Sequence, residues 1–557
     1  LEAITTGSMA TNAAQLTPVQ KRLLAENLTL RPLGAAAAGD AAAMKNQCAA
    51  KPFADPTTLP MWNGWGVDAT NGRFQSGAAA ALTAADVPKL SLQWAFAFPN
   101  GTSAFAQPAL AGGRVFVGSD NGFVYSLDAA SGCVYWSYRA PAAIRTAMTI
   151  GSLGGSRHAV YFGDLKGNVH AIDAETAAPI WTRRADPHPL TRITGAPVLV
   201  EGRLYVPVAS LEEGAGANPT YECCTFRGSL VVYDAKTGDQ IWQAYTIANP
   251  AKPTTQTASG TQLWGPAGAA VWSAPTVDVR RGAVYVATGN GYNEPAADTT
   301  DSVIAFDLET GARLWVNQVT PNDAYMVSCG AGAPNRNNCP GVNGPDFDFG
   351  NSPILRELPN GKGVLVVGQK SGAVWALDPD NKGAVLWQQR VGRGSTLGGL
   401  EWGSAADSEL GYFPIADAQY GPAQAGGMFA LKLASGEEAW RIRPPGADCP
   451  PGSRTCTAAR SAAISVIPGV VFSGTTDGMM RAYSTTDGRV VWEFNTAREF
   501  STVNGVAGKG GSINGPGPVI AGGLLLTNSG YSYLGTGSAG NVLLAFSVDA
   551  GAAQPGR

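Results

Sequence analysis

An all-β ring of eight four-stranded antiparallel blades, a β-propeller, is the fold class this sequence predicts, and three observations predict it. A unit of apolar strand, Asp, tight turn, second strand and Trp recurs along the chain. Apolar runs are short and broken by turn residues, in a chain with 71 Gly and 37 Pro, which is the usage of strands and turns rather than helices. The two chain ends carry complementary parts of one further unit, so the ring can close on itself.

The clearest copies are LDAASGCVYW ending at Trp136, IDAETAAPIW at Trp181, YDAKTGDQIW at Trp242, FDLETGARLW at Trp315 and LDPDNKGAVLW at Trp387. Two drifted copies follow, LKLASGEEAW ending at Trp440 and YSTTDGRVVW ending at Trp492. In each, a side-chain carboxylate or hydroxyl organises a turn that reverses the chain. Another strand pair precedes each unit, as in RVFVGSDNGFVYSLD (114–128), which brings the count to four strands per blade. The eighth blade combines the strand around Trp94 with NVLLAFSVDAG (541–551), and that closure removes exposed sheet edges. The expected division is an N-terminal, partly helical extension over 1–60, with TPVQKRLLAENL as a short helix, and a propeller over 61–557.

Charge gives no sign of a nucleic-acid partner: 39 basic against 42 acidic residues, with no basic stripe. No apolar run approaches the roughly 18 residues that span a bilayer. The opening LEAITTGSMA lacks the basic and apolar parts of a leader, and the expectation is that a leader was removed and a cloning scar remains. Of eight cysteines, Cys329 and Cys339 flank one loop and Cys449 and Cys456 another; Cys48 and Cys133 are the remaining distant pair, expected to tie the extension to the first blade. Such staples place the chain in an oxidising compartment, the periplasm or outside the cell. Cys223 and Cys224 are adjacent. A bond between neighbours closes no loop of chain and stabilises little. These two are either unconnected or serve at a site where a small strained ring is tolerated.

Several chemistries are excluded. GTGSAG (535–540) is followed by a strand, not the helix a dinucleotide fingerprint needs. Three histidines, with no His-x-x-x-His, do not build a zinc centre, and no nucleophile elbow or Cys-x-x-Cys-His haem site is present. The longest intervals between Trp residues end at Trp242, Trp315 and Trp387, and they carry YECCTFRG (221–228), TGNGYNEP (288–295) and NGPDFDFGN (343–351). Insertions on consecutive blades mark one functional face. Their Glu222, Asn290 and Asp348 are hard oxygen ligands, suited to Ca²⁺.

With its AxDxxTGxxxW repeat and WNGWGVDATNGRFQ (62–75), the chain resembles the pyrroloquinoline quinone (PQQ)-dependent alcohol dehydrogenases. RITGAPVL (192–199), YECCTFRG, TGNGYNEP and DFDFG make it most similar to the polyvinyl alcohol dehydrogenases among them. The resemblance implies that Trp272, eighteen residues before Asn290, stacks on the quinone, and that Asn290 and Asp348 bind calcium. The position of the family's ligand Glu holds Cys223, which leaves Glu222 as the nearest carboxylate. Asp348 is the implied catalytic base, with Asp323 in TPND the alternative, and Lys370 the implied partner of the quinone oxygens. Arg145, Thr194, Ser210 and Trp402 are implied cofactor contacts. A Cys223–Cys224 ring would lie beside the cofactor as an analogue of the family's vicinal disulfide, at a shifted place. Gly350 stands where lanthanide-using members add an Asp, which favours calcium. The implied reaction oxidises a secondary alcohol, in polyvinyl alcohol or a smaller molecule, to a ketone, with electrons leaving to a separate cytochrome c. The competing expectation is a non-enzymatic eight-bladed scaffold, since fold does not fix function.

Overall fold

The computed structural model describes residues 13–21, 24, 39–329, 338–444, 457–533 and 537–548. Eight four-stranded antiparallel blades form the ring. Blade 1 runs Ala109–Ala111, Arg114–Gly118, Phe123–Asp128 and Val134–Arg139 from the axis outward. Blades 2 to 7 repeat this order, beginning at Thr149, Val198, Thr276, Ile354, Ala405 and Ser465. Blade 3 carries an additional short strand, Thr191–Arg192, on its second strand. Blade 8 takes Val519–Ala521, Leu524–Ser529 and Val542–Ser547 from the C-terminal end and its outermost strand, Ser91–Ala97, from the N-terminal end. Asp549 and the turn expected after it lie outside the described residues.

The repeat works locally and then between blades. Asp128 Oδ1 accepts bonds from the Ala130 and Ser131 N–H groups and from the Ser131 hydroxyl, which fixes the turn between strands three and four. Each unit's Trp then reaches the neighbouring blade. Trp94 Nε1 donates to the Ala129 carbonyl (3.0 Å), Trp136 to Ala174 (3.1 Å) and Trp181 to Ala235 (2.9 Å), while Trp492 closes the ring on Leu90 (3.0 Å). The indole also lies against the next turn's glycine. A Cβ on Gly238 would sit 2.6 Å from Trp181, and its φ of +70° is left-handed. Gly238→Ala is therefore expected to destabilise the protein by about 1–3 kcal/mol, read as a lowered midpoint in urea unfolding. An unchanged midpoint would remove the Trp–Gly contact from the account of blade packing.

Cys48 and Cys133 are joined, tying the extension to blade 1, where Cys48 N–H also donates to the Val134 carbonyl. Cys329–Cys339 and Cys223–Cys224 are disulfides as well. Cys449 and Cys456 fall outside the described residues, as does half of the expected N-terminal helix (17–28), of which 18–21 is helical. Among the described residues no helix is long and apolar enough to cross a membrane.

Strand alternation sorts the connections. In a four-strand meander the turn between strands two and three and the link to the next blade emerge on one face, and the other two turns on the opposite face. The Asp-turns are thus all on one side. The long insertions all lie on the other.

Candidate active site

Residues from several blades meet on the insertion face. Trp272 comes from the link into blade 4, Asn290 from that blade's second turn, Asp348 from the link into blade 5 and Lys370 from its second turn. Lys370 Nζ lies 2.9 Å from Asp346 Oδ1 and 3.2 Å from Asp348 Oδ2, and 5.4 Å from the centre of the Trp272 ring. Asp348 Oδ1 accepts the Asn290 N–H at 2.7 Å. The Asn290 amide nitrogen donates to the Gly291 and Tyr325 carbonyls (2.7 and 3.0 Å), which fixes the amide and turns its oxygen to the opposite side. Trp272 meets Trp402 edge to face at 5.1 Å, and Arg145 stacks on Trp402 at 4.2 Å from across the ring. Thr194 Oγ1 donates to the Trp272 carbonyl at 3.3 Å.

The vicinal cysteines adjoin this group. Both are fully buried, in a cluster with Phe226, Tyr292 and Met326 that Trp272 packs against. The Trp264 N–H donates to the Cys223 carbonyl (2.7 Å) and the Cys224 N–H to the Trp264 carbonyl (3.2 Å), so a projecting hairpin, Lys252–Gln256 with Gln262–Gly265, is anchored on the pair.

Glu222 is placed differently from the sequence expectation. Its side chain is exposed. The cause is the neighbouring Glu212, fully buried, whose carboxylate accepts the Thr225 and Phe226 N–H groups (2.9 and 2.7 Å) and the Tyr221 hydroxyl (3.0 Å). That knot turns the cysteines inward and Glu222 outward. The acid that faces Asp348 and Lys370 is Glu213, from the short helix Glu212–Ala215. Ser210 holds the start of this helix, its hydroxyl accepting the Glu212 N–H at 3.2 Å and meeting the Tyr292 hydroxyl at 3.2 Å. Burial first, and then the charge of Asp348, push Glu213 up to about 8, although the Val327 N–H bonds it.

Three further acids join the cluster: Asp323, the alternative base of the sequence reading, and Asp346 and Asp301, which were not legible as site residues. Asp346 flanks Lys370. Asp323 accepts the Phe347 and Asp346 N–H groups (2.8 and 3.3 Å) and so folds the segment that carries Asp348. Asp301 is fully buried, and both its oxygens lack a hydrogen-bond partner among the described residues. Burial, reinforced by Asp323 and Asp348, holds Asp301 well above the usual carboxylate range, and burial does the same to Asp346 despite Lys370. Burial alone would lower the Lys370 ammonium, but Asp346 and Asp348 outweigh it and hold it well above its ordinary value. Glu401 also bears on Lys370, so one lysine stands among six carboxylates.

The comparisons with known proteins follow the blades and then go further. The family model described as outer membrane protein assembly factor BamB matches residues 68–291, 253–397 and 424–554, the span of the repeat. The solved structure of quinohemoprotein alcohol dehydrogenase ADHIIG from Pseudomonas putida superposes with a TM-score of 0.66 at 19% identity, over 90% of this chain and 82% of that one. A polyvinylalcohol dehydrogenase of a Pseudomonas species is 42% identical over 98% of this chain and 87% of its own length. The polyvinylalcohol dehydrogenase of Sphingopyxis is 40% identical over 90% and 79%. The chain belongs to the polyvinyl alcohol dehydrogenase family.

As a member of that family, the chain has a site whose composition can be tested against a cation and a planar cofactor. Six carboxylates crowd one ammonium, which together with burial holds several of them above their ordinary range, and among the described residues Asp301 has two buried oxygens with nothing to bond. Buried charges without partners are costly, so the cluster fits an added cation. No three acids, histidines or cysteines among the described residues already converge as a metal cage, so the fit rests on oxygen donors that include the Asn290 amide. Gly350 has no room for a side chain: a Cβ would lie 2.3 Å from Trp272 Cη2 and 2.2 Å from the Glu401 carbonyl. An acid at that position is sterically excluded.

Proposed function

We propose that this protein is a PQQ- and Ca²⁺-dependent dehydrogenase that oxidises secondary alcohol groups, those of polyvinyl alcohol or similar compounds, to ketones. The observation that carries the reading is Lys370 held between Asp346 and Asp348 above the Trp272 ring, an acid, a cation and an aromatic face in one place. Trp272 would hold the plane of the quinone and Lys370 its oxygens. Arg145, Thr194, Ser210, Trp402 and the Cys223–Cys224 disulfide would border it. Asn290, Asp348 and Glu213, in place of Glu222, would hold the calcium. When bound, the quinone supplies a two-electron acceptor and the calcium a Lewis acid.

The chain's own residues account for the rest. Asp348 takes the proton of the substrate hydroxyl, and the Asn290 N–H on its other oxygen fixes the carboxylate for that task. Lys370 provides positive charge where negative charge grows as the alcohol is oxidised, and Asp346 keeps its ammonium protonated and aimed. Electrons would leave to a separate c-type cytochrome. The three observed disulfides support a periplasmic or secreted location.

The description of the matching repeat model favours a scaffold as the second reading. Buried ionic groups count against it, because a scaffold gains stability from apolar residues at such positions. Purified protein given PQQ and calcium is expected to reduce a redox dye with polyvinyl alcohol or a secondary alcohol present, and not when the cofactor or the metal is withheld. No dye reduction with any alcohol in a panel would favour the scaffold.

A further inference from the structure

Two cavities open on the insertion face beyond the acidic cluster. One, of about 380 Å³ between blades 5 and 6, is rimmed by Arg393, Arg441 and Arg443. The other, of about 290 Å³, lies between blades 8, 1 and 2 and is lined in part by Thr102, Ser103, Phe105, Leu165, Ser532 and Tyr533. We propose that the second is a subsite for the carbon chain of a polyhydroxylated substrate, holding units remote from the one that reacts. This rests on the alcohol dehydrogenase reading above.

The cavity adjoins the site through a chain of side-chain contacts. Arg145, stacked at 4.2 Å on Trp402, also lies 5.0 Å from the Tyr533 ring and 5.9 Å from Phe105, and donates to the Tyr531 hydroxyl at 2.9 Å. Tyr533 and Phe105 touch edge to face at 5.7 Å and form the inner wall. A chain held here lies one layer of side chains, Arg145 with Tyr533 and Phe105, from Trp402.

The wall chemistry fits an uncharged chain that alternates methylenes and hydroxyls. Phe105, Leu165 and the Tyr533 ring supply apolar contact for the methylenes. Thr102, Ser103 and Ser532 supply hydroxyls. Among the described residues the Ser532 hydroxyl makes long bonds of 3.3 Å, to Ser103 Oγ and the Thr102 carbonyl, weak enough to yield to a substrate hydroxyl. Asp120 has its Oδ2 occupied by the Thr102 N–H and hydroxyl and the Ser103 N–H, so it shapes the wall and repels anions. The arginine-rimmed cavity has the opposite character and suits an anionic ligand, not a polyol. Tethering a polymer at a second place raises the effective concentration of its hydroxyls at the first.

The test fills the groove and compares substrates of different reach. Leu165→Trp is expected to raise the KM for polyvinyl alcohol about tenfold or more, while isopropanol, too short to enter the groove from the site, keeps its kcat/KM within about twofold. Ser532→Ala, which fills nothing, is expected to raise the polymer KM about two- to fivefold and serves if the tryptophan variant does not fold. Calorimetric titration of the polymer into wild type and variant reads the same loss without turnover. An unchanged polymer KM and affinity, or an equal loss for isopropanol, overturns the subsite. Wild type that oxidises neither substrate overturns the dehydrogenase reading instead, and the calorimetric comparison still decides the groove.

Discussion

Asp348→Asn is expected to lower kcat about a thousandfold in the dye-reduction assay, within the range that loss of a positioned general base costs. The fold should survive. The asparagine oxygen can still accept the Asn290 N–H, and Lys370 keeps Asp346 at 2.9 Å as its anionic partner. What disappears is the carboxylate oxygen beside Lys370 to which the proposed mechanism assigns the substrate proton. Binding of PQQ, followed by quenching of tryptophan fluorescence, is expected to remain close to that of wild type, because Trp272, Trp402 and Arg145 are untouched. A variant that keeps kcat within tenfold of wild type would move the base to another acid of the cluster. Asp323 is a poor substitute, since both its oxygens are spent on the N–H groups of Asp346 and Phe347.

The difference between these two aspartates shows what a sequence can carry. The blades were legible because each Asp-turn is a local device, and because its Trp packs on the next turn's glycine and in most copies bonds the neighbouring blade. Asn290 and Asp348 stood out as oxygen ligands within the insertions, and Trp272 and Lys370 were named through the family resemblance, which carries over because they sit at fixed offsets from regular strands. Glu213 could not. Its helix lies inside an insertion, and its place depends on contacts far along the chain: the Val327 N–H, and the Asn338 side-chain nitrogen, which donates to the Gly216, Asn218 and Tyr221 carbonyls at 3.1, 2.8 and 3.0 Å. The adjacent acids of LEEG, eleven residues before the cysteines, were the available signal, and nothing local says that one acid turns to the loop and the other to the cluster. Asp301 was illegible for another reason. It precedes an ordinary blade strand, and only the packed ring shows that its carboxylate is buried beside three other aspartates. The Arg145–Trp402 contact joins residues from opposite parts of the ring, a closeness that no offset along the chain encodes.

Glu213→Gln and Glu222→Gln therefore make a paired experiment with opposite expectations. In calcium titrations of the PQQ-loaded protein, Glu213→Gln is expected to weaken binding about a hundredfold, since calcium affinity follows the number of charged ligands. Glu222→Gln should bind within about twofold of wild type, because an exposed carboxylate contributes little. Stability separates a ligand from a general electrostatic contributor. Without calcium, Glu213 is a half-buried acid facing Asp348 and Asp323, both of which raise its pKa. Removing its charge relieves repulsion, so the metal-free variant should melt at or above the wild-type temperature at pH 9, where Glu213 is charged. Below its folded pKa of about 8 the acid is already protonated, and this difference should shrink as pH falls through that value. With saturating calcium the order should reverse, because wild type gains more from the ion than the variant does. Equal calcium affinities for wild type and Glu213→Gln, or a loss confined to Glu222→Gln, would return the ligand to the cysteine loop. In that case the inward turn that Glu212 imposes on residues 221–226 could not be the arrangement of the metal-bound protein.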